Sequence, residues 1–306
     1  MRVWRTILVS AGLIGMVSAS ASRAAEEQPF PQEAYVWQRA WTAPVREAVA
    51  QHAADFSGLT VLAAEVTWKA GKFQVVRVPV DYPALSRTKG PVGLALRIAP
   101  YPGPFMSDGP PISGLAKLAQ SLVVEARAAG LAPCELQVDF DCAEAKLEGY
   151  KTWLETIRRK LTPLPVVITA LPSWLNQNSF PKLAGVADGY ILQVHSLERP
   201  KGPDAPFSIC DPTAARRAVE RAGRIGLPFR VALPTYGYVV AFGSDGHLLG
   251  LSAEGPSKNW PTGTQLREVR TDPTAIAELV RGWSTNRPAA FQKIIWYRLP
   301  ISLDVL

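Results

Sequence analysis

The chain has only three histidines and three cysteines among its 306 residues, and each scarcity closes off a kind of chemistry. His52, His195 and His247 stand far apart, with no His-x-His or His-Glu-x-x-His spacing, so no metal site is expected. Cys134, Cys142 and Cys210 match no zinc pattern. The sequence also lacks a Gly-x-Gly-x-x-Gly turn, a Gly-x-x-x-x-Gly-Lys-Ser/Thr loop and a Gly-x-Ser-x-Gly elbow. Dinucleotide binding, phosphate cradling and a serine nucleophile thereby lose their usual signatures, and no cofactor is expected.

Long apolar runs are equally few. Ile7 to Val17 follows Arg2 and Arg5 and precedes Ala19-Ser-Ala21, the pattern of a signal peptide over residues 1–21, with cleavage falling between 21 and 25. That run is too short to span a bilayer comfortably, and no other segment is long and apolar enough. The expectation is an exported protein, periplasmic or extracellular, with no integral membrane segment after processing. Removing Arg2 and Arg5 takes the formal charge from +7 to +5, and the remaining excess is scattered. Basic pairs such as Arg158-Arg159 and Arg216-Arg217 read as solvated helix faces, so no nucleic-acid partner is expected.

The full chain is 47% hydrophobic and 19% charged, ample for one large domain over residues 30–306. Glu135-Leu-Gln-Val-Asp-Phe-Asp-Cys142 alternates strictly, with Leu136, Val138 and Phe140 on one face and Gln137, Asp139 and Asp141 on the other. Acidic groups on the inner face of an otherwise apolar strand are costly unless something binds or pairs with them.

Around this strand the chain alternates between extended and helical periodicities. Strands are predicted at Ala34–Trp41, Leu59–Val66, Pro91–Pro100, Glu135–Cys142, Leu164–Leu171, Gly189–Leu197, Phe229–Tyr238 and Lys293–Pro300. Helices are predicted from Pro44 to Ala54, from a cap at Ser113 to Gly130, over Leu147–Leu161, in a short piece around Ser173–Leu183, from Pro212 to Ile225 behind the cap Asp211, and over Pro273–Trp283. Phe73 to Val80 reads as a further strand reached through the turn Lys69–Lys72, a hairpin in place of the second helix.

Eight strands with mostly helical crossovers predict an α/β fold, a parallel (β/α)8 TIM-like barrel; an open doubly wound sheet is the alternative. Residues 239–271 form an insertion after the seventh strand, with a hairpin around Phe242–Leu249. It is either a wall of the cleft or a plain surface loop.

In such a barrel the ends of the strands converge on one mouth. The candidates there are Trp37, Arg39 and Trp41, then Glu65, Arg97, Asp139 and Asp141. Thr169, Trp174, Gln193, His195, Tyr236 and Tyr238 follow, with Trp296 or Arg298 from the last strand. Aromatic rings stack on sugar faces and charged groups bond hydroxyls in pairs, so the expected ligand is a carbohydrate. Asp139 and Asp141 should lie about 6.5–7 Å apart at their Cα atoms. Carboxylates this close repel, and one then holds a proton nearer neutrality, as a general acid must. The alternative is that Arg97 and Arg298 neutralise the pair in a buried layer.

His195 could shuttle a proton, or simply bond to a neighbouring Gln or Tyr. Cys142 and Cys210 both fall just after strands, where a disulfide could join them across one rim; buried free thiols are the alternative.

Leu136-Gln-Val-Asp-Phe-Asp-Cys142, Ile168-Thr-Ala-Leu-Pro-Ser-Trp174, Leu192-Gln-Val-His195 and Ala232-Leu-Pro-Thr-Tyr-Gly-Tyr238 resemble the bacterial domain of unknown function 3142. The resemblance runs over about residues 35–300 and implies a barrel related to glycoside hydrolases, without an established activity. The fourth strand also resembles the family 18 chitinases, whose motif there is Asp-x-x-Asp-x-Asp-x-Glu. Asp139 and Asp141 match its central Asp-x-Asp. Leu136 stands in place of the first Asp and Ala143 in place of the acid, with Glu144 one residue late.

Three functions are thus in view. The first is glycoside hydrolysis, with Asp141 or Glu65 as acid, Asp139 as its partner, and Trp174, Trp296 and Tyr236 as sugar platforms. The second is carbohydrate or envelope binding without cleavage, and the third a structural or partner-binding role.

Overall fold

The structure, a computed structural model, describes residues 30–69, 72–253 and 260–301. The proposed signal segment and the centre of the turn at Lys69–Lys72 lie outside the described residues.

The elements run in order β1 (Gln32–Val36), α1 (Ala43–His52), β2 (Leu59–Lys69), β3 (Lys72–Arg77), α2 (Tyr82–Ser86), β4 (Val92–Ile98), α3 (Pro110–Ala128) and β5 (Leu136–Phe140). They continue through α4 (Leu147–Leu161), β6 (Val166–Ala170), α5 (Phe180–Ala184), β7 (Tyr190–Gln193), α6 (Pro212–Ile225) and β8 (Phe229–Pro234). The last are β9 (Tyr238–Phe242), β10 (Leu248–Ser252), β11 (Gln265–Val269), α7 (Pro273–Thr285) and β12 (Phe291–Tyr297).

Strands β1, β2, β4, β5, β6, β7, β8 and β12 pair in parallel around a ring. β1 closes it, pairing Ala34 with Trp296 on one side and with Leu59 on the other. The fold is therefore the (β/α)8 barrel, and the open sheet is excluded. β3 turns back antiparallel on β2, as the hairpin reading requires, and the short α2 follows it. β9 pairs antiparallel with both β10 and β11, so the insertion is a small sheet of its own rather than a plain loop.

Several boundaries move. α3 starts at Pro110, not at Ser113; two prolines fill its first turn, and Gly109 precedes it at φ 98°, so no side chain caps it. The seventh barrel strand stops at Pro234, whose missing N–H cannot continue a ladder, and Tyr238 opens the inserted sheet. The piece around Ser173–Leu183 splits into a 3-10 turn at Pro172–Asn176 and α5. Asp211 caps α6 as expected, accepting from the amides of Thr213 and Ala214.

The core lies between strands and helices. α4 turns Tyr150, Trp153, Leu154, Ile157 and Leu161 onto the outer face of β5, where Phe140 lies 5.0 Å from the Tyr150 ring and 6.3 Å from Trp153. Full burial of each such side chain contributes about 1.5–3 kcal/mol, so this face fixes β5 and leaves its other face, with Gln137 and Asp139, pointing inward.

Candidate functional site

Inside the barrel the polar positions are stacked in tiers. At the N-terminal end Arg230 joins Glu33, at 2.7 Å, to Glu135, and Lys293 reaches Glu33 at 2.7 Å. One tier up, Gln137 accepts from the Tyr35 hydroxyl at 2.6 Å and donates to Thr60 and Glu135. Above it, at the C-terminal mouth, a cavity of about 270 Å³ is lined by Trp37, Arg97, Asp139, Asp141, Thr169, Gln193, His195, Tyr236, Tyr238 and Tyr297. Ile191 and Ala232 also line it.

Asp139 is the chemical centre of this cavity. Its side chain is 15% exposed, its Oδ1 accepts from the Thr169 hydroxyl at 2.8 Å, and Arg97 stands 3.9 Å from its Oδ2. Burial, and after it the neighbouring Asp141 carboxylate, push its pKa up to about 6; Arg97 and the Thr169 bond pull the other way without overcoming them. Asp141 sits above it on the exposed rim. The two carboxylates therefore share the cavity, with Arg97 in ion-pair range of Asp139.

Glu65 is held differently. Arg39 donates to it twice, at 2.5 and 3.1 Å, and Arg97 lies 3.7 Å away. Glu65, Arg39 and Arg298 line an adjoining cavity of about 410 Å³ that shares Trp37, Arg97, Tyr236, Tyr238 and Tyr297 with the first. Leu251, Ser252 and Ala253 of the insertion complete that second cavity, so the inserted sheet is a wall of the cleft.

His195 is buried, stacks on Tyr297 with centroids 5.2 Å apart, and meets the Tyr236 hydroxyl at 3.0 Å through Nδ1. Burial drives its pKa down to about 3, so it is a neutral ring in a tyrosine network. Ser196 beside it sits at φ 55° and bonds the Tyr238 hydroxyl at 2.7 Å. A serine held in the left-handed region is uncommon, and here it swings the chain so that Tyr238 is tied to the rim of β7.

Several candidates lie elsewhere. Trp174 is 1% exposed and packs beside Tyr150 and Phe180 in the outer core, so it offers no face to a ligand. Trp296 points outward, donating to Gln32 at 2.7 Å, and lines a groove against α7. The inward ring of β12 is its neighbour Tyr297, because a strand reverses its face at every residue. Trp41 is buried in the core. Glu144 leaves the mouth altogether, accepting from Gln177 at 2.8 Å on an outer 3-10 turn.

Cys142 and Cys210 are not bonded; both are buried thiols, and Cys142 directs its sulfur at the Ala143 carbonyl. Burial pushes each up to about 12, so both stay protonated. Among the described residues no group of three His, Cys, Asp or Glu could hold a metal, and no helix is long and apolar enough to cross a membrane.

A closed parallel barrel with a half-buried carboxylate and aromatic rings at its C-terminal mouth is of the TIM-barrel class. Within it, the chain belongs to the family described as Domain of unknown function (DUF3142), whose model matches residues 113–302. Among solved structures, the chain is similar to the spore cortex-lytic enzyme SleL of Bacillus cereus at 14% identity and a TM-score of 0.59, covering 90% of this chain and 72% of that one. A chitinase of Chromobacterium violaceum gives 16% identity and a TM-score of 0.57 over 89% of this chain and 95% of its own. A xylanase-alpha-amylase inhibitor protein solved with trehalose gives 12%, 0.50, 89% and 94%. At these identities the likeness shows the fold alone. No curated protein matches the sequence.

Proposed function

We propose that the C-terminal mouth binds an oligo- or polysaccharide and hydrolyses a glycosidic bond with the Asp139 and Asp141 pair. The observation that carries this is a carboxyl group with a pKa of about 6, on an open cavity, with a second carboxylate beside it and tyrosine and tryptophan rings around it. Asp141, on the rim, is the group that can reach a glycosidic oxygen and protonate it as the bond to the anomeric carbon breaks. Asp139 beneath it exchanges that proton with Asp141 and, when ionised, stabilises the positive charge that develops on the sugar ring. Water then adds to the anomeric carbon and its proton returns to the pair. Glu65, locked by Arg39, positions arginines and is not the acid.

A second reading, binding without cleavage, is favoured by one specific feature: Ala143 occupies the place of the acid in the chitinase motif, and Glu144 is turned away. A barrel of this shape solved with trehalose is named as an inhibitor, which supports the same alternative.

Incubation of the purified chain with a panel of polysaccharides separates the two. Hydrolysis should release new reducing ends. Quenched tryptophan fluorescence with no product would leave only the binding reading, and neither signal on any glycan would end both.

Export belongs to the same proposal, since polymeric sugars are met outside the cytoplasm. Arg2, Arg5 and the run Ile7–Val17 support it. The mature protein should begin between residues 22 and 26; a soluble cytoplasmic form that retains Met1 would refute export.

A further inference from the structure

We propose that the ligand of this cleft is an anionic glycan, one bearing a carboxylate on the sugar, and that Arg97, with Arg39 and Arg298, forms the subsite that receives it. This rests on the mouth being a sugar site and goes further by naming the chemical class of the sugar.

The second cavity is lined by three guanidinium groups, Arg39, Arg97 and Arg298, against one carboxylate, Glu65. Arg39 already meets Glu65 with two hydrogen bonds. Arg97 is different. At 3.7 Å from Glu65 and 3.9 Å from Asp139 it feels both charges, yet both distances exceed hydrogen-bond range. A guanidinium carries five donors in a planar fork that fits a carboxylate in bidentate fashion, and that of Arg97 is 42% exposed on the wall shared by the two cavities.

Trp37 makes an independent second point. It is 8% exposed and lines both cavities, and its indole N–H has no partner among the described residues. An N–H donor beside an under-used guanidinium suits a ligand rich in acceptor oxygens. Leu62, Leu251 and the tyrosine rings keep the surroundings poorly polarisable, which strengthens a charge-assisted bond.

The same carboxylate chemistry can come from a hexuronate ring or from a lactyl ether on an amino sugar, and binding measurements can tell them apart. Oligogalacturonate tetramers and a lactyl-ether glycan tetrasaccharide would each be titrated into the full protein beside their carboxyl-reduced counterparts. At least one acid form should bind about tenfold or more tightly than its reduced form, the usual worth of a charge-assisted bond. Whichever pair shows the difference names the source.

Arg97→Gln and Arg39→Gln should each remove most of that preference. Arg281→Gln, on the exposed side of α7, should leave it unchanged. Equal binding of acid and reduced forms would overturn the anionic subsite while leaving the mouth a sugar site. No binding by any of the four would overturn both.

Discussion

Arg230→Ala should lose about 3–5 kcal/mol of stability, the usual penalty for stranding buried charges. For a chain of this size that corresponds to a fall of roughly 10 °C in the thermal midpoint. The cause is local. Arg230 bonds Glu33 at 2.7 Å and Glu135 at 2.7 and 2.9 Å inside the barrel floor, and among the described residues Lys293 on Glu33 and the neutral Gln137 amide on Glu135 would remain to answer two carboxylates.

Burial alone would push Glu33 up; Arg230 and Lys293 outweigh it, and its carboxyl lies below the ordinary value. A depressed carboxyl stabilises the fold above its unfolded pKa and loses that contribution as pH falls through the folded one, so the wild-type advantage over Arg230→Ala should shrink in acid.

A fourfold replacement, Glu33→Leu and Glu135→Leu with Arg230→Met and Lys293→Met, should recover most of the loss, because a network removed together leaves no charge stranded. Urea unfolding of the three proteins checks this. A stable Arg230→Ala would mean that water reaches the floor and screens it.

That floor was only half legible in the sequence. Glu135 falls in phase with Gln137 and Asp139, so strict alternation already put three polar groups on one inner face. Their partners were not readable, because Glu33 and Arg230 are 197 residues apart and nothing local marks either as the other's mate. The barrel itself was legible for a simple reason: each βα unit carries its own periodicity, and eight in a row leave few ways to close a sheet.

Errors in the site came from phase and from depth. On β12 the bulky ring of Trp296 suggested a platform, but Lys293, Ile295 and Tyr297 share the inner face, and Trp296 must point out. Trp174 lies four residues past β6, beyond the reach of strand alternation, and packing against Tyr150 decided its place. Asp139 was found because an acid between apolar neighbours is conspicuous. Tyr35 and Tyr297 were missed because a tyrosine between apolar neighbours is not.

Asp139→Asn should make the protein more stable at neutral pH and much less active, and the two effects together decide what the residue is for. With a folded pKa of about 6 against an ordinary value of 3.8, Asp139 binds its proton more tightly in the native state than in the unfolded chain. A raised carboxyl contributes stability below its unfolded pKa, and that contribution drains away as pH rises through the folded one, here between about 4 and 6. At pH 7 the ionised group therefore costs the fold about 3 kcal/mol. Asparagine keeps the shape and a partner for Thr169 but carries no charge, so it should regain most of that cost at pH 7 and none of it below pH 4. Hydrolysis should fall by a factor of about 10²–10⁴, the range for losing a group that moves a proton in the transition state. Thermal unfolding of both proteins across pH 4 to 8, paired with reducing-end release, measures both halves. If Arg97 and Thr169 instead used Asp139 as structural cement, the substitution would weaken the fold at pH 7. A variant that is less stable and equally active would take Asp139 out of the chemistry and leave the cleft as a place where sugars bind.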